Sequence, residues 1–166
     1  MFASFDLGAK DGYRRFLSAH ADAVLPIEAA LDAAQAGEVI ADWDMRRRGE
    51  ALRADLAALG TPVLSGDEPA AIAGFDDADT KPFAIAGAIY VLEGSRLGGR
   101  FLARQVGEDL PREYLDPNQA PKHWRELLAR LDVILDRPGK QAVALDAARS
   151  VFATFHTAGR NWLSKE

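Results

Sequence analysis

Leu92-Glu93-Gly94-Ser95-Arg96-Leu97-Gly98-Gly99-Arg100-Phe101-Leu102 places three glycines within six residues of a stretch that otherwise reads as helix. Each glycine in a helix interior costs roughly 1 kcal/mol against alanine, so the run gives up about 3 kcal/mol. Ala84, Ala88, Val91 and Leu92 precede it and Phe101, Leu102 and Val106 follow it, at spacings near the helical period. Gly94 and Gly98 stand four apart and share a face, which Gly99 widens. A helix without side chains along one face lets something approach its backbone. Two readings fit: a closely packed second helix, or a flat ligand.

The rest of the chain supplies an all-α frame for that helix. Its 166 residues suit one domain with a full core. At 48 % hydrophobic and 27 % charged, the composition is neither disordered nor membranous. No apolar run reaches the ~18 residues of a spanning helix, and the N-terminus does not read as a signal peptide. The absence of cysteine excludes disulfides, thiolate nucleophiles and cysteine metal sites, and suits a reducing cytoplasm. A net charge of −5 disfavours a nucleic-acid partner. Arg46-Arg47-Arg48 reads as a solvated helix turn.

About six helices are expected. The first spans about Lys10 to Ala34, with Tyr13, Phe16, Leu17, His20, Val24, Ile27 and Leu31 on one face. Pro26 predicts a kink or break within it, and Gly37 its end. The second covers Asp42 to Leu59 and stops at Gly60. An irregular crossing follows from Thr61 to Pro82. The glycine-bearing helix runs from Lys81 or Pro82 to Val106. After a loop bracketed by Pro117 and Pro121, an amphipathic helix runs from Pro121 to Leu135. Its stripe is Trp124, Leu127, Leu128, Leu131, Ile134 and Leu135. A last helix spans Lys140 to Leu163.

Few residues could carry chemistry. His20, on an apolar helix face, is either a hydrogen-bonded core histidine or an iron ligand; His123 reads as exposed and His156 as partly exposed. No His-Glu-x-x-His, Glu-x-x-His pair, Gly-x-Ser-x-Gly elbow or phosphate loop occurs. Metal ligation therefore has no residue set in the sequence.

Tyr90-Val-Leu-Glu-Gly-Ser-Arg-Leu-Gly-Gly-Arg-Phe-Leu-Ala-Arg104 resembles the distal-helix signature of bacterial heme oxygenases, in the branch associated with bacteriophytochromes. Phe5-Asp6-Leu7, Asp11-Gly12-Tyr13-Arg14-Arg15-Phe16-Leu17, Trp43 with Arg46 to Arg48, and the Phe152/Phe155/Trp162 tail extend the likeness over nearly the whole chain. The resemblance implies one heme-oxygenase-like domain over residues 1–166: a single-domain multi-helix bundle with a glycine-notched distal helix. It implies cleavage of heme to biliverdin, carbon monoxide and iron, with electrons from a reductase or ferredoxin. Gly94, Gly98 and Gly99 would lie against the heme face. Ser95 would stand where some members carry the aspartate that organises distal water, and a hydroxyl can both donate and accept there. Arg96 and Arg100 would reach a heme propionate or be solvated.

The same resemblance places the iron's proximal histidine on a helix ahead of the segment matching Phe5-Asp6-Leu7. The four residues before that segment hold no histidine, and His20 falls on the following helix. Oxygen activation needs a controlled iron coordination sphere, so the expectation for this polypeptide is weak or absent turnover. The alternative function is a non-catalytic module binding heme or a bilin, or an interaction domain on the same fold. A face left open by a missing helix would favour a homodimer or a protein partner.

Overall fold

The computed structural model describes residues 4–63, 68–115 and 121–164. Among the described residues every regular element is helical. The elements are α1 (Lys10–Ala33), α2 (Ala36–Val39), α3 (Trp43–Arg46), α4 (Gly49–Ala58), α5 (Lys81–Ala103), α6 (Pro121–Ile134) and α7 (Pro138–Leu163). The all-α class read from the sequence is therefore the observed one. Pro117 lies outside the described residues. No helix among the described residues is long and apolar enough to cross a membrane.

Tyr13, Phe16, Leu17, Val24, Ile27 and Leu31 bury one face of α1, as their spacing predicts. Of the kink or break expected at Pro26, the break does not occur: α1 is continuous through it. The helix runs on because Val24, Leu25 and Ile27 are core residues on both sides of it, and that burial outweighs one missing hydrogen bond. The Pro26 carbonyl also accepts the Ala70 N–H at 2.9 Å, tying the irregular crossing to α1. Gly37 does not end the helix. Gln35 takes the left-handed conformation, at φ 61°, and Gly37 lies within α2.

The single helix expected over Asp42 to Leu59 is two helices, broken at Arg47 and Arg48. The cause lies on α1. The Glu28 carboxylate accepts the backbone N–H of Arg48 at 2.7 Å and of Gly49 at 3.0 Å, which caps α4 and turns the chain. Gly60 does stop α4, at φ 81°.

Helix α5 lies against α7, and α1 against α7 and α4. The close approach of α5 to α7 is made at Gly87, outside the glycine run. A Cβ there would overlap the Ala144 carbonyl. Ala84, Ala88, Ala147 and Val151 continue this small-residue seam in the buried core. The tight helix packing that the glycine run suggested is thus carried seven residues before Gly94.

Candidate functional site

Four elements enclose a cavity of about 470 Å³. Helix α1 contributes Phe16 and His20, the α3–α4 turn Arg48, α5 Val91, Ser95, Gly98, Gly99 and Leu102, and α7 Phe152, Phe155 and His156. Tyr114 and Leu115 close it from the segment after α5. Phe16, Val91, Tyr114 and Leu115 are buried, whereas Ser95, Gly98, Phe152 and His156 are exposed at the mouth. The volume is in the range of small-molecule and cofactor sites, roughly 300–1,000 Å³, and the walls are mostly apolar, as such sites require.

Each wall has a local cause. Tyr114 and Leu115 sit in irregular chain, held by Asp55. That carboxylate, 2 % exposed, accepts the N–H of Glu113 at 3.1 Å and of Tyr114 at 2.9 Å. Burial raises the Asp55 and Glu28 pKa values above the ordinary carboxylate range, opposed in both by these backbone hydrogen bonds. On α5, Gly98 leaves open space: a Cβ there would have no neighbour within 4 Å. At Gly99 a Cβ would only touch Leu115, at 3.7 Å. Neither glycine is needed for helix packing, so their missing side chains widen the cavity. Gly94 faces elsewhere, with a Cβ position 3.6 Å from the Trp124 ring of α6.

His20 borders the cavity. Its Nδ1 lies 3.0 Å from the Phe16 carbonyl, which can only accept, so Nδ1 carries the proton and Nε2 the lone pair. Phe16, Tyr114 and Phe155 surround the ring, at centroid distances of 4.1, 5.5 and 5.8 Å. Burial pushes the His20 pKa down to about 3, with the Arg48 charge adding to the fall, so the ring is neutral at pH 7. His156 is exposed at the mouth, and His123, expected to be exposed, is half-buried.

The arginines correct the sequence reading most. Arg46 and Arg48 are 5 % and 7 % exposed; only Arg47 is solvated. Arg46 donates to Glu93 at 2.9 Å and Asp42 at 2.6 Å. Arg96, expected at a propionate or in solvent, donates to Glu93 at 2.7 Å and to the Arg46 carbonyl. Arg100 is exposed and does not line the cavity. Arg48 instead turns to α5: its Nη2 donates to Ser95 Oγ at 2.7 Å and to the Leu92 carbonyl at 3.1 Å. Its Cζ stands 5.0 Å over the Tyr114 ring. Of the predicted site residues, Ser95, Gly98 and Gly99 thus meet at the cavity. Arg48, Tyr114, Leu115 and His156 join them without having been predicted there.

No protein-family model matches the chain. Over 121 residues it is 36 % identical to a heme oxygenase of Xanthomonas campestris pv. campestris, an alignment covering 69 % of this chain and 68 % of that protein. The chain belongs to the heme oxygenase family. It is also 31 % identical over 121 residues to heme oxygenase PigA of Pseudomonas aeruginosa, covering 66 % of this chain and 57 % of that one. Its fold is similar to that of the NO- and CO-bound heme oxygenase from Neisseria meningitidis. The TM-score is 0.74 at 25 % identity, over 93 % of this chain and 77 % of that one.

A heme-oxygenase cavity must admit a flat macrocycle with carboxylate arms. The residues present suit it: a side-chain-free patch at Gly98, aromatic walls at Phe16 and Phe155, and one buried cation, Arg48. Among the described residues no cluster of three histidines, aspartates or glutamates could hold a separate metal ion.

Proposed function

We propose that this chain binds heme in the cavity between α1, α5 and α7, with the backbone at Gly98 and Gly99 against the macrocycle. The reaction on offer is opening of heme to biliverdin, carbon monoxide and iron, with electrons drawn from a reductase or ferredoxin. The observation that carries this reading is the open space beside Gly98 on a cavity wall. An α-helix gives up side chains there although no neighbouring helix demands it.

Bound heme would supply both the carbon that is oxidised and the iron that activates oxygen. The protein supplies the rest. Phe16, Phe155 and Leu102 exclude water and take up the apolar faces. Arg48 and Ser95 place a cation and a hydroxyl at the Gly98 wall, where Ser95 Oγ already donates to the Leu92 carbonyl at 2.6 Å. That leaves Ser95 as an acceptor toward Arg48 and fixes the guanidinium. His20, neutral and with Nε2 unprotonated, is the less exposed of the two imidazoles that line the cavity. It belongs to α1 and borders the cavity together with Phe16. The second reading is a heme- or bilin-binding module without turnover.

A hemin titration followed in the Soret region tests the binding. A sharp saturable band supports it, and a broad free-heme spectrum sinks it. Adding an electron donor then separates the two readings: biliverdin formation supports the enzyme, and an unchanged Soret band supports the module. Gly98→Leu should abolish the saturable band in either case.

A further inference from the structure

The glycine face of α5 sets where a flat ligand lies. Gly98 is exposed at the mouth of the cavity, and nothing stands within 4 Å of the Cβ it lacks. A macrocycle against that backbone is held at the mouth, with its other face turned away from α5. Helix α7 supplies two exposed residues to the same mouth, Phe152 and His156. They stand four apart on one face of the helix, so the phenyl ring and the imidazole reach the cavity side by side.

Few lining groups could give a lone pair to a metal at the centre of that macrocycle. The chain has no cysteine, and among the described residues no methionine lines the cavity. Ser95 is engaged, donating to the Leu92 carbonyl and accepting from Arg48. Tyr114 would have to ionise, and burial pushes its hydroxyl away from that. His20 is committed to the cavity wall. Its Nδ1 is bonded to the Phe16 carbonyl, and its ring packs against Phe16, Tyr114 and Phe155. Swinging it toward the mouth would break those contacts. His156 is held by none of this: among the described residues it makes no hydrogen bond, ion pair or ring contact. Imidazole is a common axial ligand of heme iron, and it needs one unprotonated ring nitrogen that no other donor occupies.

We propose that His156 of α7 supplies the axial nitrogen to the metal of a porphyrin seated against Gly98. The bond is the donation of a neutral imidazole lone pair, with no change in oxidation state. This rests on the heme reading and deepens it, by assigning the metal ligand to the last helix.

The full chain tests this with two porphyrins that differ only in the metal, zinc protoporphyrin IX and metal-free protoporphyrin IX, each titrated by fluorescence. The zinc form should bind more tightly by roughly tenfold or more, with the red-shifted Soret band of a nitrogen-ligated zinc. His156→Ala should erase the difference between the two affinities, and imidazole added to that variant should restore the shifted band. His20→Gln should keep the difference. Equal affinities in the unsubstituted chain overturn the assignment. So does a difference that survives His156→Ala, and its loss in His20→Gln would then place the metal on His20. If neither porphyrin binds, the heme reading itself fails and the ligand assignment falls with it, a result distinct from equal binding of both. His156 is exposed on a long helix, where alanine is well tolerated. The comparison of the two porphyrins is in any case read on the unsubstituted chain.

Discussion

Arg48 Nη2 donates to Ser95 Oγ at 2.7 Å, joining the turn between α3 and α4 to the glycine-bearing face of α5. The contact spans 47 positions of sequence and fixes both residues at the cavity. Ser95→Ala removes one of the two acceptors of a buried guanidinium. Leaving a charged donor short of a partner costs roughly 1–3 kcal/mol. Urea unfolding should register a loss of that order, and Ser95→Thr, which keeps the hydroxyl, should recover most of it. Equal stability of Ser95→Ala and the unsubstituted chain would show that the contact contributes nothing.

Gly87 and Gly98 should respond oppositely to the same substitution. Alanine at Gly87 drives a Cβ into the Ala144 carbonyl, and the α5–α7 seam must open. Overpacking of this kind costs typically 1–3 kcal/mol, more where backbone must move. Alanine at Gly98 meets nothing within 4 Å and gains helix propensity, so it should stabilise the ligand-free protein by up to about 1 kcal/mol. Thermal unfolding of the two variants side by side checks this. A destabilised Gly98→Ala would mean that the open space there is filled in the folded chain.

How far these positions were legible in the sequence follows from the range of the forces that set them. The long helices α1, α5, α6 and α7 follow from local periodicity, and their observed limits fall within a few residues of the expected ones. The break at Arg47 does not, because Glu28 makes it from 20 positions away. Arg46 and Arg48 read as solvated because a run of like charges normally is; their burial depends on Glu93 and Ser95, on another helix. Gly87 left a usable signal, the Ala84-Ile85-Ala86-Gly87-Ala88 run, which the denser glycines downstream overshadowed. Tyr114 and Leu115 left none, since they sit in irregular chain whose position is set by Asp55.

That dependence makes Asp55→Asn informative. An amide offers one acceptor oxygen where the carboxylate offers two, and its NH₂ would face a backbone donor. One of the Glu113 and Tyr114 N–H groups would lose its partner, at about 1–3 kcal/mol. The wall formed by Tyr114 and Leu115 would loosen with it. Hemin affinity should fall together with stability in Asp55→Asn, measured by Soret titration and urea unfolding. Loss of stability with unchanged affinity would detach this wall from the ligand.

His20 gives the stability of the fold a specific pH dependence. Its folded pKa is about 3 against an ordinary value of 6.5, so between those limits the unfolded chain binds a proton that the folded chain does not. Stability therefore rises with pH through this window by a few kcal/mol, and no further from this group above it. Glu28 and Asp55 oppose it. Their raised folded values mean that the folded chain holds protons the unfolded chain has released, so their contribution falls as pH rises above the ordinary values of 4.5 and 3.8. The total curve mixes both signs, and the difference between the unsubstituted chain and His20→Gln isolates the imidazole. That difference should climb in favour of the unsubstituted chain from pH 3 to about pH 6.5 and then level off. A flat difference across the window would mean that His20 titrates in the folded protein as it does in the unfolded one, and that the ring is open to water rather than enclosed by Phe16, Tyr114 and Phe155.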